Sequence, residues 1–177
     1  MTRRVVITGM GTVNALSFDL AGYWRALLEG RSGVGLIEQF DTSAFKVHFG
    51  GEVKAFEPEK YLDAKSVRRL DRYVQFALVA SQLAVKDSGL DFSKEDPYRC
   101  GVILGSGIGG LNEFEEQHSR YIHDGPGRIS PFTIPKMILN AGPGNISIEF
   151  GLCGPNTSVA TACASAANAV EDAYHAI

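Results

Sequence analysis

The stretch Thr157-Ser158-Val159-Ala160-Thr161-Ala162-Cys163-Ala164-Ser165-Ala166-Ala167-Asn168-Ala169-Val170 admits few local structures. Its β-branched residues favour an extended segment over 159–161, and Gly154-Pro155-Asn156 ahead of it is turn punctuation. After Cys163 the residues change to Ala, Ser and Asn, then Glu171-Asp172-Ala173-Tyr174, a helical bias. The pattern reads as a strand, a sharp bend at Ala162-Cys163, and a helix. At such a junction the free N–H groups and the dipole of the helix stabilise a thiolate. Small neighbours let a substrate reach the sulfur, so Cys163 is a candidate nucleophile. The alternative is a small buried cysteine in a tightly packed helix, a common setting for this residue.

Around this stretch the chain of 177 residues suggests one domain, either alone or as a piece of something larger. That length can bury roughly two thirds of its unfolded surface, enough for a core. A net charge of −3 argues against a nucleic-acid binder. No apolar run approaches the length of a membrane span, and Met1-Thr2-Arg3-Arg4-Val5-Val6-Ile7-Thr8-Gly9 is broken too early for an export leader. Three cysteines without C-x-x-C spacing give neither a disulfide framework nor a zinc site, which points to a reducing, cytoplasmic setting.

Residues 4–8 read as a buried strand closed by Gly9-Met10-Gly11. Ser17 or Asp19 caps a helix carrying Leu20, Tyr23, Trp24, Leu27 and Leu28, which Gly30 ends. Residues 33–59 have no period and are expected to be irregular, with one short strand near 47–49. A long helix is expected over 66–88, with Gly89 as its stop. Residues 99–105 form a second buried strand, followed by a polar helix over 111–123. Pro135 suits the first position of another helix, which Gly142-Pro143-Gly144 interrupts, with 145–150 continuing at a new angle. Helices alternating with short apolar strands, with no Asn-Gly hairpin signal, predict an α/β fold with a mostly parallel sheet covered by helices.

Gly105-Ser106-Gly107-Ile108-Gly109-Gly110 satisfies the dinucleotide pattern G-x-G-x-x-G between a strand and a helix. The acidic residue that pattern needs about 20 positions later falls in Asp124-Gly125-Pro126-Gly127, with no strand before it, which argues against a nucleotide. The other reading is that these glycines let backbone pass close to the reactive cysteine. His48, His118, His123 and His175 form no metal-ligand spacing, and Cys100 and Cys153 read as space-fillers in a strand and a loop. Lys65, Arg68 and Arg69 form a basic corner opening a helix, an unfavourable place for positive charge. It is either a solvated helix start or a docking site for an acidic partner.

Several stretches together resemble the β-ketoacyl-[acyl-carrier-protein] synthases, nearest to the type II elongating enzymes. They are Val6-Ile7-Thr8-Gly9-Met10-Gly11, Leu70-Asp71-Arg72-Tyr73-Val74-Gln75-Phe76-Ala77, the Gly105–110 run, Ile129-Ser130-Pro131-Phe132, Gly151-Leu152-Cys153-Gly154-Pro155-Asn156 and Thr161-Ala162-Cys163-Ala164-Ser165. The resemblance implies a thiolase-like fold of two similar halves, with residues 1–177 making the N-terminal one. It implies that Cys163 carries the acyl thioester and that its backbone N–H supplies half of the oxyanion hole. Ile108, Ile134 and Phe132 match substrate-binding positions, with Ile108 beside the cysteine. Lys65, Arg68 and Arg69 match the patch that docks acyl-carrier protein, the reading adopted for them. The family's histidines belong to the second half, and none of the four here takes their place. No cofactor or metal is implied, and a homodimer is expected.

Ala166 stands where many relatives have glycine, Ala15-Leu16-Ser17 replaces Pro-Leu-Gly, Cys153 replaces a basic residue, and Gly142-Pro143-Gly144 is atypical. The alternatives are a specialised polyketide-type ketosynthase, and a non-catalytic chain-length partner or orphan half-domain. The presence of Cys163 argues against the non-catalytic partner. The helix after Cys163 is small or apolar through Val170, so it has no evident solvent face and is expected to be central in the complete protein.

Overall fold

A computed structural model describes residues 3–177; Met1 and Thr2, where the leader and domain readings begin, lie outside the described residues. The elements in chain order are α1 (Leu20–Leu28), β1 (Val34–Leu36), β2 (Phe49–Gly51), α2 (Ala64–Arg69), α3 (Arg72–Ser88) and β3 (Val102–Gly105). They continue with α4 (Leu111–Asp124), α5 (Thr133–Met137), α6 (Ala141–Phe150), β4 (Asn156–Val159) and α7 (Ser165–Ala176).

β3 and β4 pair in parallel, Val102 opposite Asn156 and Gly105 opposite Val159. The crossover between them runs through α4, α5 and α6, the long connection that parallel strands require. α6 and α7 both pack on this pair, giving the expected helix-covered parallel layer. β1 and β2 pair antiparallel, Leu36 opposite Phe49. Their connection, residues 37–48, is long, which is why no two-residue turn signal announces them. The strand expected near 47–49 lies at Phe49–Gly51, and its partner at Val34–Leu36 went unread because it is a three-residue exposed segment.

The core gathers Phe56, Leu62, Leu78, Val79 and Ile146, with Phe18, Phe76 and Phe150 against it. Phe56 meets Phe76 edge-on at 4.9 Å, a favourable aromatic geometry. The Arg72 guanidinium lies 4.9 Å from the Phe76 centroid and donates to the Val53 carbonyl at 2.7 Å. Of the four aromatics scattered through 33–59, only Phe56 is buried; Phe40, Phe45 and Phe49 are exposed.

Four expectations are corrected. The helix over 66–88 is two helices, because Leu70 and Asp71 are extended and Asp71 caps α3 by accepting from the Tyr73 N–H at 3.0 Å. The Gln75 amide turns back to the Val67 and Leu70 carbonyls and closes the end of α2. Apolar residues on both pieces face one core, so the periodicity ran through the break. The strand over 4–8 does not form; Val6 and Ile7 are exposed, and no ladder partner stands beside them among the described residues. Pro135 is the third residue of α5, still within the first turn, where its missing N–H costs nothing. Gly142-Pro143-Gly144 does not interrupt a helix but forms the first turn of α6, with Pro143 fully buried. α7 buries Ser165 and Ala169, and its small and apolar residues Ala166, Ala167 and Val170 are exposed.

Candidate active site

β4 stops at Val159, earlier than the 159–161 expected, and the Ser106 N–H caps its end by donating to the Val159 carbonyl at 3.0 Å. The chain leaves the sheet through Ala160 and Thr161 and enters a 3-10 turn, Ala162–Ala164, before α7 begins at Ser165. Ala162 has φ +50°, a left-handed conformation that costs a non-glycine residue about 1–2 kcal/mol. The bend expected at Ala162-Cys163 is therefore present, with the strain on Ala162. Cys163 sits at the middle of the turn, two residues before α7, and is exposed. In this domain Cys163 is not the buried cysteine of the alternative reading.

Ser165 fastens this turn. Its hydroxyl donates to the Ala162 carbonyl at 2.7 Å and accepts the Thr161 N–H at 3.0 Å, and the residue is buried. The Thr161 hydroxyl donates to the Asn168 side chain at 2.6 Å, tying the approach to the second turn of α7. Backbone strain at a functional site persists only where surrounding bonds over-determine it, and these bonds do so here.

The glycine loop runs beside the turn. A Cβ on Gly105 would lie 2.3 Å from the Ser165 carbonyl oxygen, so only glycine admits that crossing of β3 and α7. Gly107 faces the Ala162 carbonyl, and the next residue along the loop, Ile108, is 67% exposed. The loop's other end meets α5: the Gly110 N–H donates to the Met137 carbonyl at 2.9 Å. This supports the close-approach reading of the glycines over a nucleotide fingerprint. α5 carries Ile134, 60% exposed, and its N-cap residue is Phe132, also exposed. The three substrate-position residues thus belong to two segments joined at Gly110, one of which touches the Cys163 turn.

Lys65, Arg68 and Arg69 are exposed on α2. The dipole placement of two of them is corrected: α2 ends at Arg69, so Arg68 and Arg69 close a short helix, the favourable end for positive charge, while Lys65 stays in its first turn. The Arg69 guanidinium lies 5.5 Å over the Phe132 ring, which joins the basic patch to the start of α5. Cys100 is half-buried in a turn ahead of β3, and Cys153 is exposed, so the space-filling role given to Cys153 fails. The histidines remain apart, with His118 stacked on Phe114 and His48 beside the Thr42 hydroxyl. No helix among the described residues is long and apolar enough to cross a membrane.

Sequence reading missed what lies behind the loop. α4 turns Glu113 and Gln117 inward and leaves Leu111, Phe114, Tyr121 and Ile122 outward. The Glu113 N–H donates to Asp71 Oδ2 at 3.2 Å, Lys136 Nζ meets Glu113 Oε2 at 2.8 Å, and Gln117 Oε1 accepts the Ser130 N–H at 2.9 Å. The Tyr73 hydroxyl donates to the Ile138 carbonyl at 2.6 Å, and burial pushes its phenol above the usual range. The available signal was Glu113 and Gln117 standing four residues apart, which reads equally well as a solvated face.

The model of the "Beta-ketoacyl synthase, N-terminal domain" family matches residues 2–177. The chain is 43% identical over 175 residues to 3-oxoacyl-[acyl-carrier-protein] synthase 2 of Synechocystis sp., covering 99% of this chain and 42% of that protein. It is 45% identical over 161 residues to the protein of the same name in Vibrio cholerae, covering 91% of this chain and 39% of that one. The chain thus spans about two fifths of the length of these curated relatives. Among solved structures, the ishigamide ketosynthase/chain length factor matches with a TM-score of 0.82 at 25% identity over 98% of this chain and 45% of that one. A β-ketoacyl synthase from Burkholderia phymatum gives 0.79 at 26% over 97% and 43%. The parallel pair, the helices covering it and the strained cysteine turn form part of a thiolase-like α/β fold, and the chain belongs to the β-ketoacyl synthase family as its N-terminal domain.

Proposed function

We propose that this domain carries the nucleophile of an elongating 3-oxoacyl-[acyl-carrier-protein] synthase, an acyltransferase of fatty-acid biosynthesis. The observation that carries the reading is the exposed Cys163 on a strained turn fastened by Ser165, with the glycine loop running beside it. An acyl group arrives as a thioester on carrier-protein phosphopantetheine. The Cys163 sulfur attacks its carbonyl, a new C–S bond forms, and the carrier thiol leaves. Malonyl-carrier protein then loses CO₂, and the resulting C2 carbanion attacks the Cys163 thioester. Collapse expels the Cys163 thiolate and leaves a β-ketoacyl chain two carbons longer. The Cys163 N–H, at the start of a helical segment, supplies one donor to the oxyanion. Groups that assist decarboxylation are supplied from outside this domain, since none of its histidines is placed at the turn.

Ile108, Ile134 and Phe132 line the acyl path, and Lys65, Arg68 and Arg69 dock the acidic carrier protein. One structure sharing the fold is described as a type II polyketide acyl-carrier protein in complex with its ketosynthase, which supports a carrier partner. The outward apolar residues of α4 suit a homodimer of a cytoplasmic enzyme. The polyketide-type alternative is the weaker one, because the relatives at 42–45% identity bear the name 3-oxoacyl-[acyl-carrier-protein] synthase 2.

The test is peptide mapping of the full-length protein after incubation with an acyl-carrier-protein thioester. Acylation at Cys163 alone, and loss of condensation in Cys163→Ala with carrier binding kept, is the expected result. Labelling at Cys100 or Cys153 would overturn the assignment.

A further inference from the structure

Glu113 is 3% exposed, yet among the described residues only one of its carboxylate oxygens has a partner. Oε2 holds Lys136 Nζ at 2.8 Å, while Oε1 is buried and finds no donor among the described residues. A buried ion pair is a poor source of stability compared with an apolar pair of similar volume, and an orphaned carboxylate oxygen makes it poorer. What such a pair supplies is a defined register between the elements that carry it.

Those elements are α4 and α5, and the pair sits behind the segment that carries the substrate-position residues. Glu113 is in the first turn of α4, anchored at its own N–H by the buried Asp71 carboxylate. Lys136 is in the last turn of α5. On a helix, positions 134 and 136 face nearly opposite sides, so with Lys136 drawn inward to Glu113, Ile134 is presented outward. A Cβ on Gly110 would lie 2.7 Å from Met137 Cα and 2.8 Å from the Lys136 carbonyl oxygen, so loop and helix touch backbone to backbone. Any slide of α5 therefore moves Ile134 relative to Ile108 and the Cys163 turn.

We propose that Glu113 and Lys136 are positioning residues whose ion pair fixes α5 against the glycine loop and so sets the acyl-chain length the pocket accepts. The inference rests on the reading of Ile108 and Ile134 as acyl-path residues.

The test uses the full-length enzyme, with Glu113→Gln, Lys136→Met and the paired Glu113→Leu/Lys136→Met variant. Each is assayed with a series of acyl-carrier-protein thioesters of increasing chain length. Misplacement by about 1 Å costs up to about a hundredfold in a positioned site. The expected result is that both single variants change the ratio of kcat/KM between long and short acyl donors by about tenfold. Cys163 alkylation by iodoacetamide should stay at the wild-type rate, and the KM for malonyl-carrier protein should not move. The paired variant guards against simple unfolding, because its apolar side chains fill the same space. It should fold as well as wild type and still show an altered chain-length profile.

An unchanged profile in the folded paired variant, or a uniform loss across all chain lengths, would overturn the inference and leave the pair a fold element. A wild-type enzyme that condenses no acyl chain would instead refute the proposed function, so the two failures are separable.

Discussion

α3 and α4 are both amphipathic helices beside the candidate site, and they are built in opposite senses. α3 turns Val74, Leu78 and Val79 inward. α4 turns Glu113 and Gln117 inward and puts Leu111, Phe114, Tyr121 and Ile122 outside. The first arrangement holds a helix by removing apolar surface from water, which is strong and tolerant of small shifts. The second holds it by directional bonds to Asp71, Lys136 and the Ser130 N–H, which are weaker in net free energy but fix one geometry. The helix that anchors the core uses the first, and the helix adjoining the glycine loop and α5 uses the second.

The largest expected effect tests that contrast on the α3 side. Val79→Asp would bury an unpaired charge and cost about 3–5 kcal/mol or more, enough to abolish folding in urea titrations. Its counterpart, Ile122→Asp on the exposed side of α4, should change stability by no more than about 0.5 kcal/mol in the full-length protein at concentrations where it is monomeric. A cost for Ile122→Asp that approaches the Val79→Asp value would mean that the outer face of α4 is covered in solution. Sedimentation of both variants would then show whether a second copy covers it.

A middle-sized effect belongs to the α4 bonds. Gln117→Ala removes the acceptor of the Ser130 N–H and should cost about 1–3 kcal/mol, read as a lower urea midpoint with an unchanged slope. Gln117→Met keeps the packed volume without an acceptor and should lose nearly as much as alanine. If the methionine variant instead recovers most of the alanine loss, the bond is incidental and α4 is held by packing after all.

The same contrast explains what could be read from the sequence. β3, α1, the extent of α4 and the bend at Ala162-Cys163 were legible, since apolar runs, caps and turn residues all report local preferences. The break at Leu70-Asp71 was not, because α2 and α3 bury the same side against one core and their periods join in phase. The strand expected over 4–8 has the right residues but no neighbour to pair with among the described residues, and a strand without a ladder is not held. At the site, Cys163 and the glycine loop were identified because their residue types are rare and chemically narrow. Ser165, Asn168, Glu113 and Lys136 were missed because a serine, an amide or an ion pair looks the same in sequence whether it faces water or a strained turn.

The smallest effect separates the two styles of helix cap. Asp71 is buried and bonds both α3 and α4, whereas Asp63, the cap of α2, is solvent-facing and accepts from the Ser66 hydroxyl and the Lys65 and Ser66 N–H groups. The Ser66 hydroxyl, followed by the Ser66 N–H, holds the Asp63 carboxyl below its usual value of 3.8. Because the folded-state value is the lower one, the stabilisation is fully present above pH 3.8 and is lost as pH falls through the folded value. Asp63→Asn should therefore flatten the acid limb of a stability–pH curve below pH 3.8 and leave the neutral region nearly unchanged, since asparagine caps almost as well. Asp71→Asn should behave differently and lower stability at neutral pH too, because an amide oriented to accept from one of the two N–H groups turns its NH₂ toward the other. Chemical denaturation of the two variants from pH 2 to 7 makes the comparison, and matching curves would show that burial gives the Asp71 cap no separate role.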